Sequence, residues 1–341
     1  MKETKIYLGK NEVPGKDKKV SGEFVTIGEE RFYKICNNDE MTDFFISLIS
    51  NSDHWMFISS NGSLSAGRKN RDNALFPYYT VDKIHDYKNI TGSKSIFLIS
   101  RDQKKHIWEP FTDISNSIYH IERNIYKSVY GNKIIFEEIN FDLEVSFQYG
   151  WNTSEKYGFV KKSEFKNRNK NALKVAVLDG IQNILPAGAD YNFQIEFSNL
   201  LDAYKKNELI EKTGVGLFSL SSIPVDRAEP SESLYANTVW SIGLTKPRIL
   251  ISDNQVDLFK KGGKPETEMD VRARRGSYYV NTEVELAKGE ERSWMIVAEI
   301  NQDSADVVDL HHWILESENI KNLVDSDIQE GTERLKKIAS S

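Results

Sequence analysis

The chain has 341 residues, with 45 Lys plus Arg against 51 Asp plus Glu, a formal charge of −6. A mildly acidic balance argues against a dedicated nucleic-acid or anionic-membrane binder, since both need a basic field. The single cysteine, Cys36, excludes a disulfide framework and any multi-cysteine zinc or iron–sulfur site.

Hydrophobic residues make up 39%, including 17 Phe, 15 Tyr and 6 Trp, ample for a large core. The first residues hold no apolar signal segment, and no stretch approaches the ~18 apolar residues of a membrane helix. The expectation is a soluble, cytoplasmic chain without nucleic-acid or membrane partners.

In chain order, short strands come first, at 24–27, 31–36, 55–59 and 95–99, each rich in β-branched or aromatic residues and bounded by Asn, Asp or Gly. Strands at 118–129 and 133–138 follow, joined by Tyr130-Gly131-Asn132, then 143–148, 157–165 and 172–178. Leu143, Val145 and Phe147 alternate with Glu144, Ser146 and Gln148, the half-buried antiparallel pattern. Connections of three to eight residues fit hairpins, not βαβ crossovers.

Helical periodicity is confined to 193–206, where Phe193, Phe197, Leu200, Leu201 and Tyr204 share a stripe, and to 305–315 and 320–338. Late strands recur at 238–244, 248–251, 277–286 and 292–299. The expectation is a mainly β chain: one large antiparallel domain over 1–300 and a helical tail over 301–341. The tail stops at Ser340-Ser341 with no breaker, as if cut in mid-architecture.

Standard catalytic motifs are absent. Gly262-Gly263-Lys264 lacks the remaining residues of a phosphate-binding loop, and Gly214-Val215-Gly216 has Ser219 in place of a third glycine, in a strand-like stretch. Adjacent His311-His312 cannot chelate from one helix face, and Cys36 reads as a buried, inert thiol. The Arg272–Arg275 run reads as a solvated loop before a strand.

Residues 54–83 stand out. A strand leads into Asn61-Gly62 and then a long irregular run that mixes amide, guanidinium, ammonium and aromatic side chains. Sugars need that mixture, with planar polar groups forking onto adjacent hydroxyls and aromatic faces covering the C–H side of the ring. Arg68, Lys69, Asn70 and Asn73 supply the first, Phe76, Tyr78 and Tyr79 the second, and Asp82 closes the candidate set. The alternative is a surface loop whose aromatics form its own small core. Two further concentrations lie at 178–190 and at 222–233, the latter with Asp226, Arg227 and Glu229.

The 55–83 segment, the 178–190 segment with its helix through Asp202-Ala203-Tyr204, and the 213–224 stretch occur in an order that resembles the N-terminal part of cellobiose-phosphorylase-like proteins. These are also described as glycosyltransferase family 36 or glycoside hydrolase family 94. The resemblance spans nearly the whole chain. It implies a galactose-mutarotase-like β-supersandwich, linker helices, and a downstream (α/α) barrel that carries the catalytic Asp and uses inorganic phosphate as co-substrate.

On that implication this chain has no catalytic residue, cofactor or metal of its own. It would shape an oligosaccharide site, lend the 67–82 loop to the rim, and contribute to a homodimer. Ala74-Leu75-Phe76-Pro77-Tyr78-Tyr79 departs from the Trp-containing version of related phosphorylases, which leaves phosphorylase and hydrolase both open. Two alternatives are a mutarotase-like epimerase using His120 and Glu122 as an acid–base pair on one strand face, and a stand-alone carbohydrate-binding module.

Overall fold

The computed structural model describes residues 5–13, 18–80, 82–197, 200–222 and 235–339. Asp226, Arg227 and Glu229, Val81 and the terminal Ser340-Ser341 lie outside the described residues.

Alternation along the strands produces two facing sheets. On Val145–Ser154, Val145, Phe147, Tyr149 and Trp151 are buried together, while Gln148 stands on the other face. That strand lies within an antiparallel sheet of eleven described strands. Its order runs Asp270–Arg272, Lys205–Ile210, Val215–Leu220, Ala236–Ile242, Glu291–Gln302 and Gly158–Asn167, then Val145–Ser154, Ile134–Asn140, Ile121–Ser128, Glu30–Cys36 and Ser21–Ile27.

A five-stranded antiparallel sheet faces it, ordered Lys104–Trp108, Gly92–Arg101, Leu173–Ile184, Gly276–Leu286 and Arg248–Leu250. The core lies between the two. Phe97 of the smaller sheet sits 4.9 Å from Phe147 and 4.8 Å from Phe165, ring centre to ring centre. Each such buried ring contributes about 1.5–3 kcal/mol. The chain is thus mainly β, a large antiparallel sandwich, as its alternation indicated.

Several elements differ from the sequence expectation. The irregular run after Asn61-Gly62 contains two strands, Leu64–Arg68 and Ala74–Phe76, which join Phe45–Leu48 and His54–Ser59 in a four-stranded sheet. Their small residues hide β character: a Cβ on Gly67 would fall 2.2 Å from the Asn73 carbonyl oxygen and 2.5 Å from the Trp55 ring. The 193–206 helix is two short helices, Tyr191–Phe197 and Leu200–Tyr204, followed at once by the strand Lys205–Ile210. There Lys205, Asn207 and Leu209 are buried and their alternates half-buried, so period two prevails.

Residues 113–118 form a helix capped by the Thr112 hydroxyl, and the strand begins only at Ile121. The strand expected at 172–178 runs on to Ile184, through Gly180, where a Cβ would meet the Tyr278 carbonyl at 2.2 Å. Cys36 is half-buried rather than buried.

The last helices pack onto the open face of the large sheet. Helix Ser304–Glu316 starts in a capping box between Asp303 and Asp306, and its Trp313 stacks 4.9 Å over Tyr157. Helix Ile320–Ala339 buries Ile320, Val324 and Ile328, one stripe at i+4 spacing, against Val160, Met295 and Val297. No helix among the described residues is long and apolar enough to cross a membrane.

Candidate functional site

Most of the residues expected to face sugar are engaged by their own protein. The Arg68 guanidinium donates to Asp53 at 2.8 Å, to Glu299 at 2.6 Å and to the Glu155 carbonyl at 3.3 Å. Lys69 is exposed and takes the left-handed conformation at φ 60°. Asn70 accepts from the Asn73 amide at 2.8 Å, while the Asn73 side-chain oxygen accepts from Asn301 at 2.6 Å. Phe76 is fully buried, edge-on to Trp151.

Tyr78 is half-buried and meets Trp55 and Tyr191 edge-on. Tyr79 stacks on Tyr87 at 3.9 Å, and its hydroxyl pairs with Thr91 and Asn183; burial pushes that phenol up to about 12. Asp82 is fully exposed, its carboxyl held below the usual range by the Thr80 side chain. The segment therefore brings Arg68, Asn70 and Asn73 into one hydrogen-bonded corner and separates them from Phe76 and Tyr79.

The other nominated groups are dispersed. His120 lies just before the strand Ile121–Ser128, exposed over Phe141, while Glu122 accepts from Asn124. His311 contacts Thr213 and His312 lies near Glu316. Arg272 pairs with Asp270, and Arg275 stands 3.8 Å from Asp202. Asp179, from the 178–190 concentration, lies inside the sandwich core. It accepts from Lys161 and Ser95 at 2.6 Å, Trp294 at 2.7 Å and Ser163 at 2.9 Å.

A more open arrangement lies on the outer face of the large sheet. A cleft of about 570 Å³ sits between helix Ile320–Ala339 and the hairpin tip at residues 27–30, a volume in the range of small-ligand sites. Gly28, at φ 60°, opens the two-residue turn that makes this tip. The floor is the register Ser293, Glu164, Gln148 on three neighbouring strands, with Lys162, Gly150 and Ile135 beside it. Gly150 leaves the centre of the floor without a side chain. On the helix, Lys321, Asp325 and Gln329 form a polar stripe one position round from the buried Ile320, Val324 and Ile328.

The lining is dense in hydrogen-bonding groups. Gln148 donates to Glu164 at 3.0 Å, Lys321 to the Ser293 hydroxyl at 2.8 Å, and Lys133 to Glu30 at 2.5 Å; Lys162 pairs with Asp325. The second oxygen of Glu30 is buried without a partner. Burial, then the nearby Glu291 carboxylate, raise the Glu164 carboxyl above its ordinary range, against the pull of Lys166 and Lys321. The polar row continues past Gln148 to Glu137, which accepts from Tyr126 at 2.5 Å and Asn124 at 2.9 Å. Phe32 adds an aromatic wall, and no histidine lines the cleft among the described residues.

These residues come from six separated stretches, so no local motif announces them. The one local signal is the 321/325/329 stripe beside an apolar stripe of the same spacing. Chemically the cleft offers carboxylate, amide, ammonium and hydroxyl groups on a rigid floor, with one carboxyl able to hold a proton at raised pH.

No protein-family profile matches the sequence, and no curated protein matches it. Solved structures do. A polysaccharide lyase is similar over 81% of this chain, at 12% identity and a TM-score of 0.40. A human-microbiome protein assigned as a kojibiose phosphorylase is similar over 71%, at 8% and 0.39. This chain spans 34% and 28% of those two proteins. An Escherichia coli K12 protein assigned as an aldose 1-epimerase is similar over 76% of this chain and 99% of its own length, at 8% and 0.35. Likenesses this distant carry no function across.

Proposed function

We propose that the chain is a carbohydrate-binding β-sandwich domain of a carbohydrate-active protein, with the cleft on the open face of the large sheet as its sugar site. One observation carries the reading. The Glu164–Gln148 pair stands on a floor opened by Gly150, facing Lys321, Asp325 and Gln329 across about 570 Å³. Adjacent sugar hydroxyls are recognised by planar carboxylate and amide groups that accept and donate at fixed spacing, with ammonium groups at the edge. Paired internal charges make the cleft suited to an uncharged polyol.

The proposal includes a non-catalytic role. The cellobiose-phosphorylase-like resemblance would place the acid and the inorganic phosphate site in a separate barrel, and a galactose-mutarotase-type sandwich would shape the sugar. The 68–82 loop would be a surface apart from the cleft, through Lys69, Asn70, Tyr78 and Asp82. A second reading, an aldose epimerase, is favoured by one feature: the Glu164 carboxyl stands on the cleft floor beside Gln148, and burial shifts it toward the protonated form.

Calorimetric titration with glucose, galactose, cellobiose and maltose tests the binding claim. Gln148→Ala and Glu164→Gln should each weaken the sugar that binds by roughly 10-fold, the effect of losing one hydrogen bond to a charged group. Lack of binding to the intact protein at millimolar sugar would refute the proposal. Polarimetric mutarotation that disappears in Glu164→Gln would instead establish the epimerase.

A further inference from the structure

The floor of the cleft continues beyond the residues that line it. Ile135, at the edge of the cleft, stands directly opposite Tyr126 on the strand Ile121–Ser128, and Tyr126 stands opposite Lys34. Opposed residues of antiparallel strands share a face, so Lys162, Gly150, Ile135, Tyr126 and Lys34 form one row across five strands. Phe32, the aromatic wall of the cleft, lies two residues from Lys34 and on the same face. Tyr126 is therefore the next side chain outward from both Ile135 and Phe32.

The Tyr126 ring is held in place. It is half-buried, and its hydroxyl donates to Glu137 Oε2 at 2.5 Å, on the neighbouring strand two residues along from Ile135. Burial, then the Glu137 carboxylate, push the phenol up, so it keeps its proton and the tie persists. The Lys34 ammonium lies 5.5 Å from the ring centre and comes from the strand on the side away from the cleft. A ring fixed in this way loses little freedom when a ligand stacks on it.

The adjoining row repeats the chemistry of the cleft. Glu164, Gln148, Glu137 and Asn124 stand opposite one another on four consecutive strands, carboxylate and amide in alternation. Gln148 donates to Glu164 at 3.0 Å and Asn124 to Glu137 at 2.9 Å, two like pairs side by side. Asn124 is itself buried, so its part is to orient Glu137. Glu137 is half-buried, and both bonds it accepts fall on Oε2, which leaves Oε1 for a hydroxyl from outside. That carboxylate would repel an acidic sugar and accept from a neutral one.

We infer that the sugar site has a second subsite, made by Tyr126 and Glu137, and that its ligand is an uncharged disaccharide or longer chain laid across the strands. One ring lies over Gly150 and the next stacks its C–H face on Tyr126. Neighbouring strands are about 4.8 Å apart, so the strand of Tyr126 runs roughly 10 Å from that of Gly150, two strands away. One glycosidic link spans that separation. This deepens the cleft reading and rests on it.

The test is calorimetric titration of the intact protein with glucose and galactose as single units, and with cellobiose, maltose and lactose as pairs. The disaccharide that binds best should bind about 10-fold tighter than either single unit, the scale of one stacked ring. Tyr126→Ala should remove that advantage and leave the single unit unchanged, whereas Tyr126→Phe should keep most of it. Gln148→Ala should weaken single units and pairs alike. The comparison of sugars on the unaltered protein stands even if Tyr126→Ala fails to fold. A disaccharide no tighter than its component units would overturn the inference and leave the cleft reading intact. So would a folded Tyr126→Ala protein that binds it as the wild type does. Failure of every sugar to bind would instead sink the cleft reading, and the second subsite with it.

Discussion

Lys161→Met removes the cation from a fully buried ion pair while keeping the side chain's length. Lys161 and Asp179 are both 0% exposed, joined at 2.6 Å between the two sheets. Without the ammonium, the Asp179 carboxylate keeps only neutral donors, from Ser95, Ser163 and Trp294. An uncompensated buried charge costs about 3–5 kcal/mol. At ~2.1 cal/mol/K per residue of unfolding entropy, a chain of this length loses roughly 4–7 °C in Tm for that change.

Asp179→Asn should cost a similar amount, because an amide nitrogen cannot accept from Trp294 or Lys161. The double variant should be milder than the sum of the two by about 1–3 kcal/mol, the coupling expected of direct partners. Denaturant unfolding followed by tryptophan fluorescence reads all three, with Trp294 inside the network as reporter. Two singles each costing less than ~1 kcal/mol and adding without coupling would refute the argument.

Two buried groups should cancel in the pH profile. Burial lowers His54 to about 4, so its stabilising contribution is lost as pH falls from the unfolded value near 6.5; burial raises Glu299 to about 7, despite Arg68 at 2.6 Å, so its contribution is lost as pH rises from about 4.5. Tm should therefore be nearly flat between about pH 4.5 and 6.5, and Glu299→Gln should unmask a rise with pH across that window; an unchanged flat profile would contradict this. Gly67→Ala should destabilise by about 1–3 kcal/mol, since its methyl group would collide with the Asn73 carbonyl and the Trp55 ring; thermal melts at parity with the wild type would show that the loop gives way.

The strands that can be read directly are those with one dry face, such as Val145–Ser154 with Val145 and Phe147, where burial and alternation coincide, although Leu143 lies in the turn before it. Leu64–Arg68 was hidden because Ser65, Ala66 and Gly67 are small and buried on both sides, which erases alternation. Lys205–Ile210 was hidden by Leu200, Leu201 and Tyr204, which extend a helical stripe up to the point where the sheet takes over. Composition leaves residues 54–83 open between a sugar-facing segment and a surface loop with its own small core, because planar polar and aromatic groups serve both; here Arg68 and Asn73 are tied to Glu299 and Asn301. The cleft left no comparable trace. Glu30, Gln148, Glu164, Ser293 and Lys321 meet only when the central strands pair and the last helix lies across them.

The most direct test of the account is a crystal structure of the chain grown with the sugar that titrates most tightly. The account predicts a sugar ring over Gly150, its hydroxyls on Glu164 and Gln148, and Lys321 and Asp325 at its edge. A sugar bound only at the 68–82 loop, with the cleft filled by ordered water, would contradict it.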